Sequence, residues 1–235
     1  MNDYSMQNTS LKYANGRKTA EQIMEQSGFL SQFSFDIRPY AHVREYDKDE
    51  SIIVSTSNLT RILYLIKGTA KLYSQHKNGR QSLINFFTPP SFLGVPELFE
   101  ESKQPYPLVA QTRCRFIEVD TTRCRARLLQ DALFLRFCCS MALKQNAAQN
   151  LRYMNLTAYP CRNNFAASLL LLQNDGILSV KYVELAEYLA VSYRHLMHLI
   201  SELCSEGIVE RIPKGLRILN WEEVYSLANE IQEHR

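Results

Sequence analysis

A short segment near the carboxyl end of the chain carries polar side chains at helical spacing. If residues 193–203 are helical, one side of that helix holds Tyr193, Arg194, Met197, His198 and Ser201. Arginine and histidine hydrogen-bond well to the acceptor atoms that base edges expose in the major groove of DNA. The residue types and their spacing therefore indicate a surface that contacts nucleic acid bases.

Cysteine thiols are the second set of side chains that could carry out chemistry. Nine residues separate Cys114 from Cys124, arginines flank both, and Cys138 and Cys139 follow. Because nearby cations lower a thiol pKa, we hypothesise that Cys114 and Cys124 form a redox switch, with Cys138 and Cys139 as further candidate redox thiols. The alternative is that these cysteines are small buried hydrophobic side chains.

Two short amphipathic patterns position the base-contacting side chains. They run from Val183 to Leu203 and meet at a break near Ala190–Ser192. Ser192 is a good N-cap for the second helix, because its hydroxyl can accept an otherwise unpaired backbone N–H. The arrangement is typical of a helix-turn-helix, although an ordinary helical hairpin inside a core has the same pattern. The apolar stripes are Leu185 and Leu189, then Leu196, Leu199, Ile200 and Leu203.

A β-hairpin is predicted directly after the second helix. Two β-rich runs, Ile208–Ile212 and Leu216–Leu219, flank the turn-forming residues 213–215. A hairpin in this place makes a winged helix-turn-helix, and basic residues around it could reach phosphates. Acidic residues are also present in this part of the chain, so the positive charge is confined to a small surface and is not a property of the whole domain. The complete predicted DNA-binding set is Ser192, Tyr193, Arg194, His195, Met197, His198, Lys181, Arg211, Lys214 and Arg217.

The composition is that of an ordinary globular protein, with 46% hydrophobic and 22% charged residues. The formal net charge of +3 is small, which favours a specific DNA reader over a protein that coats nucleic acid through bulk charge. The first ten residues lack the basic and apolar regions of a signal peptide, and no apolar run approaches the ~20 residues of a membrane helix. We expect a cytoplasmic protein without membrane contact.

The strand pattern changes along the chain and divides it into four parts. Residues 1–28 are polar and predict a mobile tail or loosely docked arm. Many short apolar or alternating runs in residues 29–120, with a hairpin signal at Asn78-Gly79, predict a β-barrel or sandwich that could enclose one small ligand. Residues 121–158 predict one long helix, and residues 159–235 hold the winged helix-turn-helix.

The long helix carries residues at alternating spacings of four and three, as in a coiled-coil seam. Such a seam before a DNA reader predicts a homodimer, since dimers of helix-turn-helix proteins read two half-sites. The alternative is a helix that packs only on its own barrel. The predicted dimer residues are Leu133, Phe137, Ser140, Lys144, Ala147, Leu151 and Met154.

Several pieces of sequence together resemble the CRP/FNR superfamily of bacterial transcription regulators, over roughly residues 35–220. They are YDKDESII from Tyr46, YLIKGTAKLY from Tyr64, NGR at 78–80 followed by FF at 86 and FLG at 92, and LAEYLAVSYRHLMHLISELCSEGIV from Leu185. Within the superfamily the chain is similar to the YeiL-type regulators, through LFLR at 133–136 and EYLAVSYRHL at 187–196. The resemblance implies an α+β fold with a cyclic-nucleotide-binding-like β-roll, a long dimerisation helix and a carboxyl-terminal winged helix-turn-helix.

The resemblance also implies a sensor function for the β-roll, whose ligand would act on the reader through the long helix. In members that bind cyclic nucleotides, a Glu follows the position of Gly94, and an Arg-Ser/Thr pair then holds the phosphate. Here Val95 follows Gly94, Glu97 is two positions displaced, and Pro105-Tyr106 stand in the place of the pair. Val and Pro offer no donor to a buried phosphate, so we expect no cyclic AMP binding.

The sequence offers few candidate ligands for other cofactors. Members of the family that hold an iron–sulfur cluster use a group of cysteines near the N-terminus, and here no cysteine precedes Cys114. A [4Fe–4S] cluster normally needs four thiolates close together. Haem would need His42 or His76, and each is a lone histidine. His195 and His198 are too few for a structural zinc site. We therefore expect no cofactor and no metal, and the effector is left unidentified.

By position in the family, Tyr193, Arg194 and His198 would touch base edges, with Arg194 forking onto guanine O6 and N7. The FNR-type order of Glu, two spacers and Ser-Arg is absent, because Arg194 replaces the Glu and Met197-His198 replace Ser-Arg. The DNA target should therefore differ from the well-known family sites.

The sequence favours a non-enzymatic, sequence-specific transcription regulator. Its expected partners are double-stranded DNA, a second copy of the chain and RNA polymerase. One alternative is a β-barrel module that binds a small ligand or a protein, with a helical domain that contacts protein and not DNA. Another is a cupin-like enzyme, which the barrel disfavours because it holds only His42 and His76 and no HxH pair.

Overall fold

Short antiparallel strands between Ala41 and Asp120 build two facing sheets. The computed structural model describes residues 19–55, 58–75, 81–100 and 104–231. One sheet has the strand order β1-β8-β3-β6 and the other the order β2-β7-β4-β5. The strands are β1 (Ala41–Tyr46), β2 (Ser51–Ile53), β3 (Arg61–Lys67), β4 (Ala70–Gln75), β5 (Gln81–Phe87), β6 (Ser91–Leu93), β7 (Leu108–Ala110) and β8 (Cys114–Asp120).

This β-roll agrees with the predicted barrel or sandwich. Strands β4 and β5 pair in antiparallel register up to Gln75 opposite Gln81. The Asn78-Gly79 hairpin signal itself lies outside the described residues. Gly68 makes the turn between β3 and β4, with φ +89°, and a Cβ there would lie 2.4 Å from the carbonyl oxygen of Arg113. Only glycine fits this close approach.

A cluster of buried side chains lies between the two sheets. Tyr46 and Phe116 are both at most 1% exposed, and their rings meet edge to face at 5.8 Å between centroids. Aliphatic side chains from both sheets pack around these rings, and the described members of this inner cluster are Ile52, Ile53, Leu63, Leu65, Ala70, Leu93, Leu108, Ala110 and Cys114.

Helical segments cover the outer face of the β1-β8-β3-β6 sheet. Helix α1 (Ala20–Gln26) begins with a capping box formed by Thr19 and Gln22. Its Met24 is buried in the same cluster as Phe29 and Phe134. The last part of the predicted polar tail is therefore a docked helix, and two 3-10 turns, Leu30–Gln32 and Arg38–Tyr40, lead from it into the sheet.

The predicted helix over 121–158 is divided in the structure. A short helix α3 (Arg125–Gln130) precedes the long helix α4 (Ala132–Ala158), with Asp131 between them. The Asp131 carboxylate accepts hydrogen bonds from the backbone N–H groups of Leu133 and Phe134, and another from Ser34. The prediction of one continuous helix from Thr121 was therefore wrong, because Asp131 caps a new helix at this point.

The carboxyl-terminal part has the predicted helix-turn-helix and wing. Helices α6 and α7 form the helix-turn-helix, and β10 and β11 form the hairpin of the wing. Strand β9, which the sequence pattern did not indicate, pairs with β11. In chain order the elements are α5 (Cys161–Leu172), β9 (Ile177–Leu178), α6 (Tyr182–Tyr188), α7 (Tyr193–Ser205), β10 (Val209–Ile212), β11 (Gly215–Ile218) and α8 (Trp221–Asn229). The remaining helix, α2 (Val95–Phe99), lies in the β-roll.

The carboxyl-terminal domain that carries the helix-turn-helix and wing, called the reader below, shares one hydrophobic cluster with the β-roll. Tyr73, Leu83 and Phe86 from the outer face of β4 and β5 are buried together with Leu185 and Tyr188 of α6. The Phe86 and Tyr188 rings meet edge to face at 5.1 Å between centroids. The described ranges contain no helix long and apolar enough to cross a membrane.

Candidate nucleic-acid interface

The turn of the helix-turn-helix is built as the sequence predicted. Ala190 takes a left-handed φ of 54°, which turns the chain sharply after α6. Ser192 then caps α7, because its side-chain oxygen accepts the backbone N–H of His195 at 3.1 Å. Below the turn, Leu185, Leu196 and Ile200 are completely buried, which fixes how the two helices cross.

The face of α7 that points away from this core is open to solvent. Ser192, Tyr193, Arg194, His195 and His198 are all exposed, and Tyr193 retains 50% of its accessible surface. The described contacts place only one carboxylate against this face, Glu202, whose Oε1 lies 3.3 Å from His198 Nε2. The two side chains at the start of the helix, Tyr193 and Arg194, are therefore free to reach a groove.

Met197 and Ser201 take part in holding the wing and are not simply open reading positions. Met197 is half-buried. The guanidinium of Arg211 on β10 donates to Ser201 Oγ at 2.8 Å and to the Met197 carbonyl at 3.4 Å. Arg211, which the sequence analysis placed on a phosphate, therefore ties the wing to the reading helix in the unbound chain.

The other basic residues predicted to contact phosphates lie around α7. Lys181 precedes α6, and Lys214 occupies the tip of the wing, and both are exposed. Arg217 on β11 is exposed and pairs with Glu210 across the wing at 3.2 Å. These basic residues thus lie before the helix-turn-helix and on the wing that follows it, and all three are exposed.

Acidic residues of α6 point away from this surface and onto the β-roll. Glu184 is 9% exposed, and Tyr73 donates its hydroxyl proton to Glu184 Oε1 at 2.7 Å. Glu187 Oε2 accepts the backbone N–H of Leu83 on β5 at 2.9 Å. The sequence pattern did not indicate this contact with the β-roll. Its partner residues on β4, Lys71 and Tyr73, are polar and alternate with apolar residues, which is the pattern of a solvent-exposed face.

Gly94 and helix α2 stand where the resemblance would place a cyclic nucleotide. Gly94 takes a left-handed φ of 79° and starts α2 at Val95. Glu97 is 9% exposed, Pro105 is buried, and Tyr106 is 45% exposed. Arg125, at the start of α3, contacts α2, where its Nε donates to the Leu98 carbonyl oxygen at 3.1 Å.

A polar group at one end of the sheet involves His42. Tyr46 donates its hydroxyl proton to the Glu118 carboxylate, and His42 Nε2 lies 3.4 Å from Glu118 Oε2. Burial opposes the charge on Glu118, but the bonds from His42 and Tyr46 and the Arg61 guanidinium hold its pKa below the usual range. His42 is thus paired with a carboxylate, and His76 lies outside the described residues.

Cys114 and Cys124 are both buried, and burial dominates the acidity of their thiols. Burial raises the pKa of Cys114 to about 11, although hydrogen bonding with Thr112 and Thr69 opposes the rise. Burial and the charge of Asp120 raise the pKa of Cys124 to about 11, against the smaller effect of the arginines. The expectation that flanking arginines activate these thiols was wrong, because desolvation outweighs the nearby positive charge.

The two members of the proposed pair also belong to different clusters. Cys114 lies between the sheets, whereas Cys124 packs with α3 and α4 outside them. Burial raises the pKa of Cys138 to about 12, while the neighbouring Cys139 is exposed on α4. The described residues contain no group of three or more His, Cys, Asp or Glu side chains that could hold a metal ion.

Much of helix α4 is exposed among the described residues. Ser140, Lys144, Ala147 and Met154 of the predicted seam are exposed, Leu133 is 41% exposed, and Leu151 is half-buried. Phe137 differs, because it packs on its own β-roll with its ring 5.4 Å from that of Phe92. Leu143, which the sequence analysis did not include, is 65% exposed beside this stripe.

Two sequence comparisons describe relatives of the chain. Residues 43–131 match the family described as the cyclic nucleotide-binding domain. The regulatory protein YeiL of Escherichia coli O157:H7 is 31% identical over 208 residues, which cover 88% of this chain and 95% of YeiL.

Solved structures share the fold over most of the chain. TTHA1359, a CRP/FNR-family transcriptional regulator from Thermus thermophilus, matches with a TM-score of 0.65 at 19% identity, covering 80% of this chain and 98% of that one. A putative regulator of the same family from Eubacterium rectale matches with a TM-score of 0.67 at 12% identity, covering 82% and 92%.

Proposed function

The chain belongs to the CRP/FNR family of transcription regulators, and we propose that it acts as a homodimer that binds double-stranded DNA in a sequence-specific way. The observation that carries this proposal is the solvent-exposed face of α7. Tyr193, Arg194 and His198 are exposed on this helix, and exposed basic residues precede α6 and lie on the wing. Such a helix can enter the major groove while the flanking cations contact phosphates.

We assign the roles by position and chemistry. Arg194 reads a base edge, and guanine fits it best because its O6 and N7 accept both donors of one guanidinium. Tyr193 and His198 provide secondary contacts. Lys181, Lys214 and Arg217 position the reader on phosphates, and Arg211 keeps the wing against α7.

The exposed stripe on α4 is the proposed dimer contact. A pair of such helices would hold two readers in a fixed relation, which suits two half-sites about one helical turn of DNA apart. RNA polymerase is the further partner that we expect for a regulator of this family.

Selection of bound duplexes from a random DNA pool, carried out in reducing and in oxidising buffer, tests the proposal. The expected result is an enriched sequence with two related half-sites. Enrichment of no sequence would favour the alternative in which the helical domain contacts a protein. A difference between the two buffers would revive thiol control.

The β-roll of this protein is proposed not to respond to cyclic AMP. A cluster of buried side chains lies between its sheets, and the side chains of Val95 and Pro105 supply no donor to a phosphate. Calorimetric titration with cyclic AMP should show no binding heat, and the DNA affinity should be equal with and without the nucleotide. A saturable titration would contradict this part of the proposal.

A further inference from the structure

The contact between the β-roll and the helix-turn-helix contains a buried polar cluster. Lys71 on β4 is 2% exposed, and its Nζ lies 3.3 Å and 3.2 Å from the two carboxylate oxygens of Glu184 on α6. Tyr73 donates to the same carboxylate at 2.7 Å, and Asp49 Oδ1 lies 3.9 Å from Lys71 Nζ. The positive charge of Lys71 is thus compensated mainly across the boundary between the two domains.

A second group of contacts joins the same surfaces. Glu187 accepts the backbone N–H of Leu83, Lys48 Nζ donates to Ser179 Oγ at 2.9 Å, and Gln111 donates to the Ser179 carbonyl. These bonds attach both the start of the reader and its helix α6 to the β-roll. Helix α7, by contrast, keeps its reading face in solvent.

Burial of Lys71 has an energetic consequence. Two charges that lose water gain little net stability from each other, so a buried ion pair contributes more to a defined geometry than to stability. If the domains moved apart, Lys71 and Glu184 would both regain water. If the domains only shifted, a buried charge would lose its partner, which is strongly unfavourable. The contact therefore favours one docked orientation over its close neighbours.

We propose that Lys71, Tyr73, Glu184 and Glu187 form an interdomain latch by which the β-roll fixes the orientation of the reading helix. The inference rests on the proposed DNA-binding function. In the latched state α6 is held on β4 and β5, and α7 follows α6 because Leu185, Leu196 and Ile200 are completely buried in the same hydrophobic cluster. The four latch residues are positioning residues, and none of them touches DNA.

The latch gives the protein a definite spacing between its two readers. A dimer whose readers are fixed on their β-rolls should accept one half-site spacing, because any other would require the contact to break. A dimer with loosened readers should bind the same half-sites over several spacings. Half-site spacing is therefore a readout that a merely structural role for Glu184 would not change.

Glu184→Ala and Glu184→Gln test the latch, with Glu206→Gln as the matched control. Glu206 pairs with Arg162 at 2.9 Å in an exposed ion pair inside the carboxyl-terminal domain. Hydrogen exchange is measured on the full chain at the β5 peptide that contains Leu83 and at α6. Loss of the buried contact should accelerate exchange there roughly tenfold or more in Glu184→Ala. Glu184→Gln, which keeps an acceptor for Tyr73, should give a smaller change in a variant that folds readily, and Glu206→Gln should give none.

The DNA selection is then repeated with half-sites at varied spacing. Faster exchange together with a broader range of accepted spacings supports the latch. Unchanged exchange in both Glu184 variants overturns it, and so does faster exchange with unchanged spacing, since the reader would then be oriented by something else. If the parent protein selects no DNA, the proposed function fails, while the exchange data still decide whether the latch exists.

Discussion

Arg194 combines an exposed side chain with a backbone that is held in a helix. It stands one position inside α7, directly after the Ser192 cap and the first residue, Tyr193, so its backbone is held while its side chain is exposed. On binding, the backbone of Arg194 needs no further ordering because the helix that carries it is already formed, so only the side chain has to be fixed. Its neighbours on the same turn, Tyr193 and His195, are exposed as well.

Arg194→Ala should weaken binding to the selected sequence by about 1–3 kcal/mol and relax preference at one base position. Lys214→Ala is the matched comparison, because a phosphate contact should weaken binding to all sequences alike and lower the salt dependence by about one charge. Fluorescence anisotropy with specific and random duplexes at several salt concentrations distinguishes the two. Equal weakening by Arg194→Ala on both duplexes would contradict its role in base recognition.

The buried thiols make stability depend on alkaline pH. Burial raises the pKa of Cys114 to about 11 from the ordinary value of 9.0. A raised pKa in the folded state means that the stabilising contribution is complete below pH 9.0 and is lost as the pH rises through about 11. The free energy of unfolding, measured by urea titration, should therefore fall over this range by at most about 1.4 kcal/mol per pH unit for each such thiol. In Cys114→Ala the slope should be smaller, and an unchanged slope would show that this thiol does not titrate on unfolding.

At the scale of elements, the cap and the turn define where the reader starts. Ala190 carries a left-handed φ, and Ser192 stops the chain from fraying at the next helix. The sequence pattern was sufficient to predict both helices and the cap, because the helices follow from the local spacing of apolar residues and the cap from the Ser192 hydroxyl. Asp131, which divides the preceding helix, escaped the same reasoning, since no glycine or proline marks the break and its capping bonds include Ser34, far along the chain.

Removal of the cap should destabilise the reader by an amount that is typical of N-caps. Ser192→Ala takes away the acceptor for the His195 N–H and should lower the free energy of unfolding by about 1 kcal/mol. Ser192→Thr, which keeps a hydroxyl at the same place, should restore most of the loss. Chemical denaturation followed by circular dichroism measures both, and a stable Ser192→Ala variant would mean that α7 is held by its buried face alone.

The wing depends on a close approach at Gly215. A Cβ at this position would lie 2.0 Å from the carbonyl oxygen of Leu178, where β11 pairs with β9. Gly215→Ala should therefore separate these strands and cost more than the ~1 kcal/mol of a left-handed alanine. Gly207→Ala is the control, because Gly207 has φ +71° but no atom within 4 Å of the added Cβ. Equal losses of unfolding free energy in the two variants would show that the contact with Leu178 is unimportant.

At the scale of the whole molecule, the relation between the domains is what the sequence did not reveal. Periodicity indicated the β-roll, the long helix and the reader, since each of these is a local pattern. Lys71 and Tyr73 alternate with inward residues of β4 and so resemble a solvated face, yet α6 covers them. Which element covers a sheet depends on tertiary packing, and the sequence of the strand alone does not indicate it.

Dimer formation is the remaining property of the whole molecule, and Leu143 offers a sharp test of it. Leu143 is 65% exposed and stands beside the predicted seam, so Leu143→Asp should leave the single chain folded but place a charge in the contact between the two copies of α4. Sedimentation velocity should then show a shift from dimer to monomer, with a loss of affinity for the two-half-site duplex. Ala142→Asp adds the same charge on a neighbouring exposed residue that faces away from the seam, and it should leave the dimer intact. If both variants stay dimeric with unchanged stability, α4 is not the dimer contact, and the two readers must be joined by another surface.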